Sequence, residues 1–285
     1  MIIVFGAMYF HQVFNLSGED AQPALSSLHS IAHRHITQPF GGAASNQAFC
    51  ANRMGVKTAI VGSVADDFDG TRIVTRLKRF GVMTSGVAAR DHTFRTDHIT
   101  GAQTFIMSSD HSIDKAYTSY GVNSKTSDDQ VPDELLNTKH MLLTQSELPN
   151  DSTDRLIQRA KASGMRTIHT NYEGLPSHNK NITAKPDILI SGSAKAKTIQ
   201  ITDKSDSSVI NFPHMSPYIF DSFCGTFTSA YYTFEDIQTA TEFGSVAAGL
   251  TIRHKDMFAY YQHDINDVHD NTYGQNKQAD QTPAE

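Results

Sequence analysis

Short apolar runs alternate with amphipathic segments of helical period along most of this chain, and that alternation limits the folds open to it. The opening run, residues 1–8 (MIIVFGAM), is nearly continuous in apolar and β-branched residues, the pattern of a parallel strand buried on both faces. TAIVGSV (58–64), HMLLTQ (140–145), RTIHT (166–170), DILIS (187–191) and TIQIT (198–202) read the same way. Between them, QPFGGAASNQAFCANRMG (38–55) turns at Gly41-Gly42 and continues as a helix stopped by Gly55. DGTRIVTRLKRFG (69–81) buries Ile73, Val74 and Leu77 on one face and closes at Gly81. STDRLIQRAKASG (152–164) is a third helix. The rhythm predicts an α/β fold with a mostly parallel central sheet and helices on both faces.

Two segments break the rhythm. Residues 13–38 and HITGAQTFIM (98–107) have strand-like spacing without helices between them, and predict a small separate sheet lying over the main one as a lid. The expected organisation is one domain over 1–269, its lid drawn from about 10–38 and 97–108, followed by a polar, disordered tail over 270–285.

Composition narrows the partners. At 285 residues and 39% hydrophobic content the chain can bury a sizeable core, and a net charge of -6 argues against binding nucleic acid or an anionic membrane surface. No apolar run approaches the roughly 20 residues that span a bilayer. Two cysteines, Cys50 and Cys224, read as free thiols in a reducing cytoplasm. The 14 histidines, the helix-spaced His29 and His33 included, lack a Cys or Glu partner set at ligand spacing, so no metal site is expected from them.

Three segments together resemble the ribokinase (PfkB) family of sugar and nucleoside kinases. FGGAASNQA (40–48) is similar to the family's Gly-Gly turn followed by an Asn, and VGSVADDFDG (61–70) is similar to its VGxVGDDxxG segment. FDSFCGTFTSAYY (220–232) resembles an altered copy of its D-T-x-G-A-G-D motif. TGAQTFIM (100–107) is similar to a lid strand, and LLTQSELP (142–149) to the strand end where a carboxylate, here Glu147, faces the sugar. The resemblance covers roughly residues 1–265 and implies a ribokinase-like fold with a sugar or nucleoside under the lid.

On this resemblance the substrate-binding residues are Gly41, Gly42, Asn46 and Glu147, with Tyr9 and His11 in the places of the family's Asn and Asp at the end of the first strand. Asp221, Cys224 and Gly225 fall at the phosphate-binding anion hole, and Thr202 on the nucleotide side. The family's catalytic aspartate follows the first Asp of its motif by six positions; counted from Asp221 this lands on Phe227, or on Gly225 with a two-residue deletion. SGSAKAK (191–197) lacks the family's magnesium-arranging Glu, and TDKSDS (202–207) lacks the glycines of its ATP loop. Asp66-Asp67 also reads as a helix cap.

Two functions stay open. One is an ATP- and Mg²⁺-dependent kinase acting on a sugar or nucleoside hydroxyl. The other is a catalytically inactive relative that binds a small molecule or a partner and needs no cofactor. The resemblance also implies a homodimer through the lid.

Overall fold

A computed structural model describes residues 1–15, 36–37, 40–91, 96–107, 113–149, 151–173, 175, 182–203 and 206–274. In chain order its first elements are β1 (Ile2–Phe5), β2 (Tyr9–Asn15), β3 (Ile36–Thr37), β4 (Phe40–Gly41), α1 (Ala43–Arg53), β5 (Thr58–Ala65), α2 (Phe68–Arg79) and β6 (Met83–Arg90). The middle supplies β7 (Ala102–Met107), β8 (Ile113–Ser119), β9 (Met141–Gln145), α3 (Ser152–Ala162) and β10 (Arg166–Glu173). The last are β11 (Ile188–Ser193), β12 (Thr198–Asp203), β13 (Asp206–Asn211), α4 (Pro217–Phe234), α5 (Ile237–His254) and α6 (Gln262–His269).

β1 is the IIVF run, and its four side chains are buried. It pairs in parallel with β5 on one side and β9 on the other, inside an eight-stranded sheet of order β13-β12-β11-β10-β9-β1-β5-β6. Successive residues of a strand face opposite ways, so Ile2 and Val4 enter one apolar core while Ile3 and Phe5 enter another. The first core takes its helical side chiefly from α1, α2, α4 and α5, and the second from Leu156, Ile157 and Ala160 of α3. Helices on both faces explain why these strands read as unbroken apolar runs.

The edge beyond β11 departs from parallel order. β11 to β12 and β12 to β13 are antiparallel hairpins, so DILIS and TIQIT pair directly with no helix between them.

α2 forms where its amphipathic pattern indicates, with Ile73 and Leu77 buried and Val74 half-buried. Asp67 caps it: the carboxylate accepts from Gly70 N–H at 2.7 Å and also from the backbone N–H and hydroxyl of Thr100 at 2.8 and 2.7 Å. One side chain thereby ties the start of α2 to the approach to the lid.

The lid is a second sheet in which β2 pairs with β7 in parallel and with β3 and β4 antiparallel, and β8 extends β7 antiparallel. β8 lies outside the expected lid boundaries. Its sequence, IDKAYTS, alternates poorly because it forms an outer strand, with Lys115, Tyr117 and Ser119 exposed. Much of the segment 13–38, His29 and His33 included, lies outside the described residues. At the other end, Asp270–Gly274 forms a further helical turn after α6, so the expected tail is structured over these five residues. Residues 275–285 lie outside the described set.

Candidate functional site

The carboxyl ends of β9 and β10 meet the N-termini of α1 and α4 at an open cleft. Ala43, Glu147, Thr170, Tyr172, Phe220 and Asp221 are among its walls. Ligands of open α/β sheets sit at such strand ends.

The glycine pair is needed by geometry. Gly42 precedes α1 at φ +86°, where a Cβ would also lie 2.5 Å from the Ala7 carbonyl oxygen. A Cβ on Gly41 would fall 1.9 Å from Cε1 of His11. The turn aims two backbone N–H groups at side chains: Gly42 donates to His11 Nε2 at 2.9 Å, and Ala43 to Glu147 Oε2 at 2.7 Å. The positive end of α1 therefore meets a carboxyl group of the protein itself.

Glu147 is buried, and burial followed by the neighbouring Asp221 pushes its carboxyl up to about 8, against the opposing bonds from Ala43 and Gln103. Asp221 is pushed up to about 6 by burial, with the amides of Asn46 and Gln47 opposing the rise. Asn46 Nδ2 donates to Asp221 Oδ2 at 2.8 Å and Gln47 Nε2 to Oδ1 at 2.9 Å. Gln47 also donates to Thr170 Oγ1 at 3.0 Å and accepts from Gln145 Nε2 at 3.1 Å. Gln47 is absent from the sequence-level candidates, although it follows Asn46 directly in the GGAASNQA segment.

His11 and Tyr9 support the cleft from behind. Buried His11 faces the Tyr218 hydroxyl through Nδ1 at 3.1 Å, and its Nε2 lies 2.8 Å from the Gln103 side-chain amide. Burial lowers its pKa to about 4, so the ring is neutral. Tyr9 packs in the core beside Ile3 and Phe5 and donates to the Glu147 backbone oxygen at 3.3 Å, which leaves no open ring face for stacking. His169 is a buried cross-strand link between Thr144 Oγ1 and Ser146 Oγ, at 2.9 and 2.8 Å.

α4 opens ahead of the motif-like segment 220–232. Ser216 is the N-cap and Pro217 the first helical residue, two turns ahead of Cys224. The Ser-Pro pair is the signal that locates this start. Asp221 is thus the fifth residue of α4 and lines the cleft, whereas Cys224, Gly225 and Phe227 lie in the helix interior. Cys224 and Phe227 are core residues, and burial raises the Cys224 thiol far above its ordinary range. Gly225 is pressed against α1, where an added Cβ would lie 2.5 Å from the Gln47 carbonyl oxygen and 2.6 Å from Cys50 Cβ. Cys224 and Gly225 do not face the helix mouth. Thr202 pairs with Leu189 and Ser207 within the antiparallel edge and is not among the cleft walls.

The opening of α4 offers few donors to a nucleoside triphosphate. Pro217 has no N–H, and the N–H of Ile219 is taken by Ser216 Oγ at 3.4 Å. The described cleft walls hold two carboxyl groups and no Lys or Arg. Among the described residues no group of three or more His, Cys, Asp or Glu could hold a metal ion, and no helix is long and apolar enough to cross a membrane.

A family profile described as pfkB family carbohydrate kinase matches residues 11–199. A ribokinase from Bacillus subtilis (strain 168) is 32% identical over 126 residues, a match that spans 41% of this chain and 39% of that protein. Three solved structures share the fold at low identity. A nucleoside kinase from Burkholderia thailandensis in complex with inosine superposes with a TM-score of 0.72 at 14% identity, covering 96% of this chain and 99% of that one. Ribokinase from Giardia lamblia gives 0.71 at 16%, covering 95% and 99%. Arabidopsis thaliana ribokinase complexed with ribose and ATP gives 0.69 at 17%, covering 94% and 98%. With its lidded α/β architecture and its Gly-Gly turn at the cleft, the chain belongs to the pfkB family of carbohydrate kinases.

Proposed function

We propose that the cleft is the acceptor half of a ribokinase-type kinase, retained as a binding site for a sugar or nucleoside. The observation that carries this reading is the convergence of Glu147 and Asp221 on one cleft, each fixed by hydrogen bonds from α1. Carboxyl groups held in this way accept hydrogen bonds from ligand hydroxyls without losing side-chain entropy. The structural relatives complexed with ribose and ATP and with inosine agree with that ligand class. Because the opening of α4 offers few donors to a triphosphate, binding without transfer is the first reading. The buried, free Cys50 and Cys224 suit a reducing cytoplasm. Thermal-shift titration with sugars, nucleosides and ATP·Mg²⁺ tests it. A shift with a sugar or nucleoside and none with ATP is expected, and no shift with any sugar or nucleoside overturns it.

Phosphoryl transfer from ATP is a second reading, and Asp221 favours it. The resemblance puts the base at the opening of the helix. The start of α4 at Pro217, with Asp221 as its fifth residue, supports Asp221 for that role over Gly225 or Phe227. With its pKa near 6, its carboxylate is ionised at neutral pH and is suited to accept the proton of a bound hydroxyl. Coupled ADP release that Asp221→Asn abolishes supports transfer; background release by the native chain across the sugar panel removes this second reading.

A further inference from the structure

His11 joins three parts of the fold. It stands in lid strand β2, and its Nε2 accepts the Gly42 N–H at 2.9 Å from the turn that opens α1. Its Nδ1 lies 3.1 Å from the hydroxyl of Tyr218, the second residue of α4, within hydrogen-bond reach whichever of the two donates. His11 and Val13 share one face of β2, and Gln103 and Phe105 stand opposite them in β7. Val13 and Phe105 pack against Tyr218 and against Leu175, a wall of the cleft. Gln103 reaches a second wall residue, Glu147, at 3.4 Å. The inner face of the lid is thus seated on the cleft at two of its walls.

This seat is slight beside the rest of the fold. Its buried apolar members are Val13 and Phe105, whereas the two cores flanking the large sheet gather residues from several strands and helices. A part held by few buried apolar contacts opens at a lower free energy than the whole. The bonds of His11 therefore carry much of what keeps the lid down. They also fall where access is decided, since Tyr218 stands in the turn of α4 between Pro217 and Asp221, both cleft walls.

We propose that His11 and Tyr218 form an autoinhibitory latch: they hold the lid down on the first turn of α4, and the lid must part there before a sugar or nucleoside enters the cleft. This rests on the acceptor-cleft reading for what the latch keeps out. Binding of any such ligand is then scaled down by the fraction of molecules whose lid is open.

Two measurements on the full chain test it. In native-state hydrogen exchange the Gly42 amide is released when the lid parts from His11, so its exchange should be flat in low urea. The amides of β1 should instead exchange through global unfolding and accelerate with urea. Tyr218→Phe removes the hydroxyl and keeps the ring against Val13 and Phe105. It is expected to speed Gly42 exchange about 3-fold or more, as the loss of one net hydrogen bond does. The chain has 10 Tyr and no Trp, so stopped flow is followed by tyrosine fluorescence, with ribose, fructose, adenosine and inosine mixed with each protein. Any of these that binds is expected to associate about 3-fold or more faster with the variant, a gain that mere loosening of the core does not give. Val13→Ala, which trims the apolar half of the seat, should act in the same direction, and circular dichroism checks that each variant is folded. Gly42 exchange that follows global unfolding in the native chain overturns the latch, and that result needs no variant to fold. Association unchanged or slowed by Tyr218→Phe overturns it and leaves the acceptor-cleft reading standing. Binding of none of the four ligands by either protein overturns both.

Discussion

The side-chain amide of Gln47 donates to Asp221 Oδ1 at 2.9 Å, joining a residue within α1 to the carboxylate near the start of α4. Gln47 is fully buried, and its amide also holds Thr170 and Gln145, so one side chain ties two strand ends to two helices. Gln47→Leu leaves a buried carboxylate short of a donor. It is expected to cost about 1–3 kcal/mol in urea unfolding, the penalty of an unsatisfied buried polar group. A change below about 0.3 kcal/mol would show that the bond is not maintained in solution.

Glu147 makes stability depend on pH. Its folded pKa of about 8 lies above the ordinary carboxyl value of 4.5, so the folded state binds the extra proton between these values. Stability from this group is therefore complete below about pH 4.5 and is lost as pH rises toward 8, by at most about 1.4 kcal/mol per pH unit. His11 and His169, lowered to about 4 and about 3, act with the opposite sign, but only below the ordinary imidazole pKa of 6.5. Between about pH 6.5 and 8, Glu147→Gln should flatten the decline in melting temperature seen for the native chain. Parallel curves for the two proteins would contradict this.

Gly225→Asp, the substitution that would restore a carboxylate at a motif position counted from Asp221, is expected to damage the fold and create no base. The new Cβ meets the α1 backbone, and the carboxylate is buried where α1 crosses α4. A loss of about 3 kcal/mol or more, or insoluble protein, is expected. An unchanged melting temperature would mean that the two helices part readily.

Gly41 and His11 should be coupled. Gly41→Ala drives a methyl group into the imidazole and is expected to cost about 1–3 kcal/mol. In a His11→Ala background most of that cost should vanish, giving an interaction energy of about 1 kcal/mol or more in a double-mutant cycle. Additive losses would place the strain in the backbone instead.

Much of the architecture was legible because it follows from burial. Strands covered on both faces read as continuous apolar runs, and α2 shows its amphipathic stripe. β8 escaped notice because an outer strand tolerates Asp, Lys and Ser in its pattern. At the cleft, the Gly41-Gly42 turn before α1 was readable from its glycines, whereas Glu147 was singled out only through the family resemblance. Asp221 was noticed, but its position five residues into α4 was not, because a glycine motif was matched and the Ser216-Pro217 helix start was passed over. Gln47 was hidden because an amide inside a helix carries no local sign of what it bonds across the fold.

β1 occupies the interior of the large sheet, and its partners, residues 58–61 and 141–144, lie far along the chain from it. Its four core residues are made before both partner strands and must wait for residues 141–144 before both edges are covered. Contacts so distant in sequence form slowly and leave adhesive surface open meanwhile. Heterologous production of this protein should accordingly benefit from low temperature and chaperone supply, whereas truncation anywhere before residue 144 should yield aggregates.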